Sequence, residues 1–368
     1  MRIKVWCRSV SSIFRSLAIA ACATALLAVG GLARAAEAKK SVTISVVLAF
    51  NSMEWSTQVR EGAEVAAAQF GGKVRLKVVG PAEYDPAKQV QMFQSELQTG
   101  SDGIVIVDVS QAYFVEPAKQ AQGQGVGIAW MSDPPAATVK SALFIGQHQF
   151  VMAEKAGEVV AKDILARSGK PASQISGEVI TGACARGIGT LDADLAGFKH
   201  AIHTQLPNVA FPATFDSKID RSQNYSAWSQ AVQAHPDALA YMDACEYGNE
   251  NIAKIISDQK RGVPVISLND AVEILDDIKG RKILAAFPQN NFVSGFMTVY
   301  QLASHLLAGQ PMPTGWFEAP VERIDASNVD AVIAAHKDKD SEYRYYKPVL
   351  DQLIKNPPQL QPLEKWYH

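Results

Sequence analysis

Cysteine, basic charge and long apolar runs are all scarce in this chain, and each shortage removes a class of function. Four cysteines occur in 368 residues, and only Cys184 and Cys245 lie beyond residue 35. Two thiols without a third or fourth ligand at suitable spacing do not make a zinc ribbon or finger. His200 and His203 stand three apart with no carboxylate or further histidine beside them, so no metal and no cofactor are expected. Five of the 35 basic residues and none of the 37 acidic ones fall within the first 35 positions, which leaves 30 against 37 and a net charge of −7. That sign argues against nucleic acid or an anionic membrane as partner. After residue 29 no apolar run approaches the roughly 18 to 20 residues of a bilayer span.

Catalytic signatures are missing as well. Gly182 and Gly187 have the spacing of a phosphate loop, but Ile188-Gly189 stands where Lys and Ser/Thr are required. Gly187-Ile188-Gly189 opens like a dinucleotide fingerprint, yet Asp192 takes the place of the third glycine. No Gly-x-Ser-x-Gly elbow occurs, and no enzyme is expected.

What is present begins with an export signal. Arg2, Lys4, Arg8 and Arg15 precede the uncharged apolar run 17–29, and Ala33-Arg34-Ala35 supplies a small-x-small cleavage pattern. Residues 1–35 are therefore predicted to be a cleavable signal peptide, with the remainder acting in the periplasm. The 333 residues that follow suffice for about two domains.

Their pattern alternates β-rich runs with longer amphipathic ones. Strands are predicted over 42–49, 74–79, 103–109 and 127–130, separated by helices over 54–70, 86–97 and 114–122. A long helix over 150–167 opens a second series. It has strands over 177–180, 209–215, 238–242, 263–268 and 283–286, and helices over 193–204, 222–234, 249–259 and 293–307. Near-continuous apolar strands alternating with helices predict an α/β fold of two doubly wound parallel-sheet domains. After Pro320 the rhythm fails, and a proline-punctuated tail is expected to pack on a domain. Cys184 and Cys245 each follow a predicted strand. If those strands are parallel neighbours, either a disulfide or two free thiols fits, since the bond needs Cα atoms within roughly 7 Å.

At Ile44-Ser45-Val46-Val47-Leu48-Ala49-Phe50-Asn51, Ala234-His235-Pro236-Asp237-Ala238-Leu239 and Ala285-Ala286-Phe287-Pro288-Gln289, the chain resembles the type I periplasmic binding proteins of the ribose and galactose class. The resemblance implies two domains hinged by three crossings, near Ile145, 287–289 and 315–320. It sets an N-terminal domain of 36–145 plus 290–312, a C-terminal domain of 146–289 plus 313–325, and a tail of 326–368. It further implies an ABC-importer receptor that closes over a small polar solute and delivers it to a membrane permease. The alternative is a sensory protein presenting its closed form to a membrane kinase or chemoreceptor. A monomer is expected in either case.

Open parallel sheets bind ligands at the carboxyl ends of their strands. Those ends yield the candidates Asn51, Trp55, Asp108, Trp130, Asp133, Asp194, Cys245, Glu246, Asn269 and Gln289. By resemblance, Asn51 and Trp55 match the family's first-loop amide and stacking aromatic, and Gln289 its hinge glutamine. Asn269 or Asp270 falls where an acidic hydrogen-bonding residue is usual, and Cys245-Glu246 where many sugar receptors have Asn-Asp. Two arginines of the family pattern are absent: Met131-Ser132-Asp133 replaces Asp-Arg, and Asp192 and Asp194 precede Gly197-Phe198. The ligand is thus expected to be neutral to cationic: a polyol, an unusual sugar or a small cation. Plainer roles compete: Trp130 as core, Asp192 as a helix N-cap, and Glu54 and Asp133 as solvated loop charges.

Overall fold

Strict alternation of side chains, not overall hydrophobicity, decides where each strand residue goes. The computed structural model describes residues 38–139, 141–185 and 187–366; the predicted signal peptide, 1–35, lies outside the described residues. The first series contains β1 (Val42–Val47), α1 (Glu54–Ala68), β2 (Val74–Val79), α2 (Pro86–Gln98), β3 (Gly103–Asp108), α3 (Val115–Gly123), β4 (Gly127–Ser132) and β5 (Leu143–Gly146). The second contains α4 (Gln149–Ser168), β6 (Gly177–Ala183), α5 (Gly189–Gln205), β7 (Val209–Ala210), β8 (Phe215–Asp216), α6 (Arg221–Ala234), β9 (Ala240–Asp243), α7 (Gly248–Asp258) and α8 (Val272–Lys279). After these come α9 (Asn291–Ala308), β10 (Gly315–Glu318), α10 (Val329–Ala335) and α11 (Lys339–Lys355).

The first sheet is wholly parallel, in the order β10-β5-β4-β3-β1-β2. Val46, Val105, Val107, Ala129 and Met131 face α1 and α9 in one apolar cluster. Val47, Ile104, Ile106, Ile128 and Trp130 face the opposite cluster with Phe93 and Phe114. Each face is sealed by helices, so both parities must be apolar. The second sheet repeats the arrangement: β6 pairs with β9 on one side and with β7 and β8 on the other. Val179, Ala240 and Met242 point to one cluster, and Ile180 and Tyr241 to the other.

Several sequence expectations change in detail. The strand predicted over 209–215 is split into β7 and β8; Pro212 lies between them and has no N–H for the ladder. The strands predicted over 263–268 and 283–286 are reduced to isolated bridges, Tyr241 to Val265 and Ser267 to Ala286. Residues 313–325 do not all join the second domain as expected. β10 pairs in parallel with β5 in the first sheet, and the chain crosses after it, reaching an antiparallel bridge between Ile324 and Ala286. The tail does not rest on one domain. α10 buries Val329 and Val332 in the second half, and α11 buries Tyr346 and Leu350 in the first.

Helix ends follow local chemistry. Asp85 caps α2 by accepting from the Lys88 N–H at 2.9 Å, with Pro86 in the first turn. Asp192 is not a cap: α5 starts at Gly189, which places Asp192 in the first turn, where its charge suits the helix dipole.

Each half is closed by a pair of helices that touch at glycine. A Cβ on Gly62 would lie 2.1 Å from the Phe292 carbonyl oxygen, and one on Gly295 2.5 Å from that of Val59. In the second half a Cβ on Gly197 would lie 2.0 Å from the Phe150 carbonyl oxygen. These are backbone contacts and cannot yield by rotamer change. Gly295→Val is expected to cost about 3 kcal/mol, and differential scanning calorimetry should show the melting temperature falling by roughly 6 to 12 °C.

Candidate functional site

The carboxyl ends of both sheets face one another across a cavity of about 150 Å³, a volume at which an engineered cavity accepts a benzene-sized guest. Its first-half wall comes from the loop after β1 and the first turns of α1. Phe50 meets Trp55 edge-on at 5.3 Å between centroids and Tyr84 at 6.1 Å, forming an aromatic corner. Its second-half wall comes from Cys184 after β6, Asp194 on α5, Cys245 and Glu246 after β9, and Asn269 and Asp270 ahead of α8. Gln289 and Asn291 line it from the crossing that leads into α9.

Hydrogen bonds run across the cleft. Gln58 of α1 donates its side-chain N–H to Asp270 at 3.1 Å and accepts from Asn291 at 3.3 Å. The Val272 N–H reaches the Glu54 carboxylate at 3.4 Å. Asn269 donates to the Glu246 carbonyl oxygen at 3.1 Å, fixing the loop that carries both residues.

The second-half loops are tied together beneath the cavity. Cys184 and Cys245 form a disulfide with Cα atoms 6.0 Å apart, made reachable by the parallel pairing of β6 and β9. Just behind it, Asp243 accepts from Trp228 at 2.5 Å, Asn224 at 3.1 Å and the Cys245 N–H at 2.9 Å. That fully satisfied buried carboxylate sets the height at which Cys245 and Glu246 enter the site.

Trp55, Asp194, Cys245, Glu246, Asn269 and Gln289 lie on the cavity wall. The other four candidates do not, each for a local reason. Asn51 is spent on its own loop, donating to the Gly80 carbonyl at 2.6 Å and accepting from Arg60 at 3.0 Å. Trp130 points from β4 into the core cluster of Phe93 and Phe114 and is 1% exposed. Asp108 is fully buried at the end of β3 and accepts from the Ser110 N–H at 2.5 Å. Asp133 is also buried rather than a solvated loop charge, because the left-handed backbone of Ser132, at φ 74°, turns it beneath the start of α5.

Burial dominates the electrostatics. It pushes Asp108 up to about 7 and Asp133, with the charge of Asp108 adding, to about 8. Asp194 is raised well above the ordinary carboxylate range by burial and by Asp133. Glu246 is raised to about 8 by burial and by the charge of Glu54. Glu54, expected to be a solvated charge, lies half-buried on the wall and is itself raised by burial. Sequence reasoning also missed Gln58, Tyr84 and Asn291. Gln58 was within reach, since it stands three residues after Trp55 on the same face of α1.

Two facing α/β halves that bind at their strand ends and join through crossings define a cleft-type solute-binding protein. Residues 44–311 match the periplasmic binding protein domain family, and the chain belongs to it. A glucose-galactose binding protein from Geobacillus stearothermophilus superimposes with a TM-score of 0.67 at 18% identity, covering 79% of this chain and 99% of that one. An ABC transporter solute-binding protein from Burkholderia graminis in complex with D-arabinose gives 0.67 at 19%, covering 79% and 97%. A solute-binding protein from Mycobacterium smegmatis with bound glycerol gives 0.66 at 20%, covering 80% and 97%. No curated protein matches the chain. Among the described residues no helix is long and apolar enough to cross a membrane, and no group of three or more ligands could hold a metal.

Proposed function

We infer that this protein is the extracytoplasmic receptor of an ABC importer, exported by the segment at 1–35 and closing over one small polar solute for delivery to a membrane permease. The observation that carries this reading is the cavity itself, built half from each sheet and bridged by the Gln58 to Asp270 hydrogen bond. A ligand held there touches both halves only when they are together, so its differential affinity favours the closed form. Trp55, Asp194, Cys245, Glu246, Asn269 and Gln289 are the contact residues of this reading, and Asp108, Asp133, Asn51 and Trp130 support them from behind. Solved relatives bound to D-arabinose and glycerol support a solute of that size.

Small-angle scattering of the purified protein tests the mechanism. A solute that raises the melting temperature is expected to reduce the radius of gyration, and a bound solute that leaves it unchanged rules out closure. Trp55→Ala removes a cavity wall and its edge-on partner to Phe50. Titration calorimetry is expected to show a loss of about 2 kcal/mol, roughly thirtyfold in affinity.

A further inference from the structure

The cavity wall is rich in carboxyl groups, and among the described residues only Asp270 has a cationic side chain within ion-pair distance, His336 at 3.4 Å. Glu54, Asp194, Glu246 and Asp270 line it, and among the described residues no lysine or arginine does. Three of its four side-chain amides already donate to the protein: Gln58 to Asp270, Asn291 to Gln58, and Asn269 to the Glu246 carbonyl. The Tyr84 hydroxyl is paired with Ser110 at 2.5 Å. The acceptors are not engaged to the same degree. Asp194, only 3% exposed, has a buried Oδ1 with no hydrogen-bond partner.

A sugar hydroxyl both donates and accepts, so a site built for sugars needs donors and acceptors in comparable number. Here four carboxyl groups line the wall and most of the amides are turned to the protein, so a ligand rich in donors fits best. Burial favours the protonated forms of Asp194 and Glu246 in the empty site, and a cation is what lets them ionise there, so a positively charged ligand gains an ion pair that a neutral one does not. The aromatic corner of Phe50, Trp55 and Tyr84 completes the requirement, since ring faces attract organic cations and pack their apolar parts.

We propose that the solute is a small organic cation, an amine whose N–H groups or charge are taken by Asp194 and Glu246 and whose carbon skeleton lies against Trp55 and Phe50. This inference rests on the solute-receptor reading above and names its ligand class. The missing family arginines belong to the same logic, as Asp194 faces the cavity where that resemblance expects a positive charge nearby.

The test is a thermal-shift and calorimetric comparison of putrescine, ethanolamine and choline with D-arabinose, D-glucose and glycerol, on the purified protein and on Asp194→Asn and Glu246→Gln. At least one amine is expected to bind, with affinity reduced at least tenfold in either variant. Asp194→Asn is also expected to raise the melting temperature of the ligand-free protein while weakening the amine, a pairing that a merely structural aspartate would not produce. Binding of the neutral solutes alone overturns the cation while leaving the receptor reading intact. Amine binding that survives both substitutions overturns the assignment of the carboxylates. No response to any of the six overturns the cation and counts against the receptor as well.

Discussion

The melting temperature of the ligand-free protein is expected to rise as the pH is lowered from about 9 to about 5, the reverse of the usual acid response. The groups responsible share one sign. Asp108 at about 7, Asp133 at about 8, Glu246 at about 8 and Glu342 at about 8 are all raised chiefly by burial, above ordinary carboxylate values near 4. Between their unfolded and folded values the folded state holds the extra protons, so stability falls as pH rises through that window. His336 acts in the same direction. Burial opposes its charge, but Asp270, Glu342 and Glu54 prevail and lift it to about 9.

A histidine raised in the folded state contributes stability that is fully present below about 6.5 and lost as pH rises through about 9. At 3.4 Å from the Asp270 carboxylate and 3.9 Å from Glu342, its Nε2 is an ion-pair partner, too distant for a strong hydrogen bond. Each group titrating differently in the two states contributes about 1.4 kcal/mol per pH unit. The groups interact, so their contributions do not simply add. A change on the order of 5 kcal/mol, or roughly 10 °C or more, is expected across the range. Calorimetric scans in matched ionic strength that show a flat or falling melting temperature from pH 8 to 5 would contradict the buried, protonated carboxylates. An amine that fills the cavity should flatten the dependence, because it favours the ionised forms of Asp194 and Glu246.

Element order was readable because both faces of each sheet are sealed, and the resulting apolar runs stand out against amphipathic helices. The same sealing hid which residues reach the cavity. In β4 both parities are apolar, so nothing in Gly127-Ile128-Ala129-Trp130 distinguishes a side chain facing the lower cluster from one at the strand end. Trp55 was legible for the opposite reason: it opens a helix whose other face is plainly core, which leaves its side chain to the cleft. Tyr84 escaped because it sits in a loop beyond the edge strand β2, placed only by its contacts with Phe50 and Ser110. The disulfide depended on β6 and β9 being neighbours, which alternation alone does not specify. Glu54 looked solvated because the groups it interacts with, the Val272 N–H and the Asp270 carboxylate, lie across the cleft more than 200 residues away.

Removing residues 326–368 is expected to destabilise both halves rather than trim an appendage. Val329, Val332, Ala335, Tyr346, Leu350 and Leu363 are all buried, the first three on or beside the second-half core and the rest in the first. At about 1.5 to 3 kcal/mol for each of the larger side chains, the gross loss is on the order of 10 kcal/mol. The conformational entropy regained by the truncated chain offsets part of it. A melting temperature lowered by more than 10 °C, or failure to recover folded protein, is the expected result; a change within about 2 °C would show that the tail carries no load. The tail also couples the halves. α10 lies against α8 and α11 against α1 and α9, with only Lys337 and Asp338 between His336, which pairs with Asp270, and the start of α11. Any opening of the cleft must pass through that short link as well as the three crossings. Inserting Gly-Ser-Gly-Ser between Lys337 and Asp338 keeps both tail helices available for docking while lengthening the tie. The insertion should leave the melting temperature within a few degrees and increase the ligand-free radius of gyration. Unchanged scattering in that variant would mean that the three crossings alone set the opening, and that the tail contributes only its buried surface.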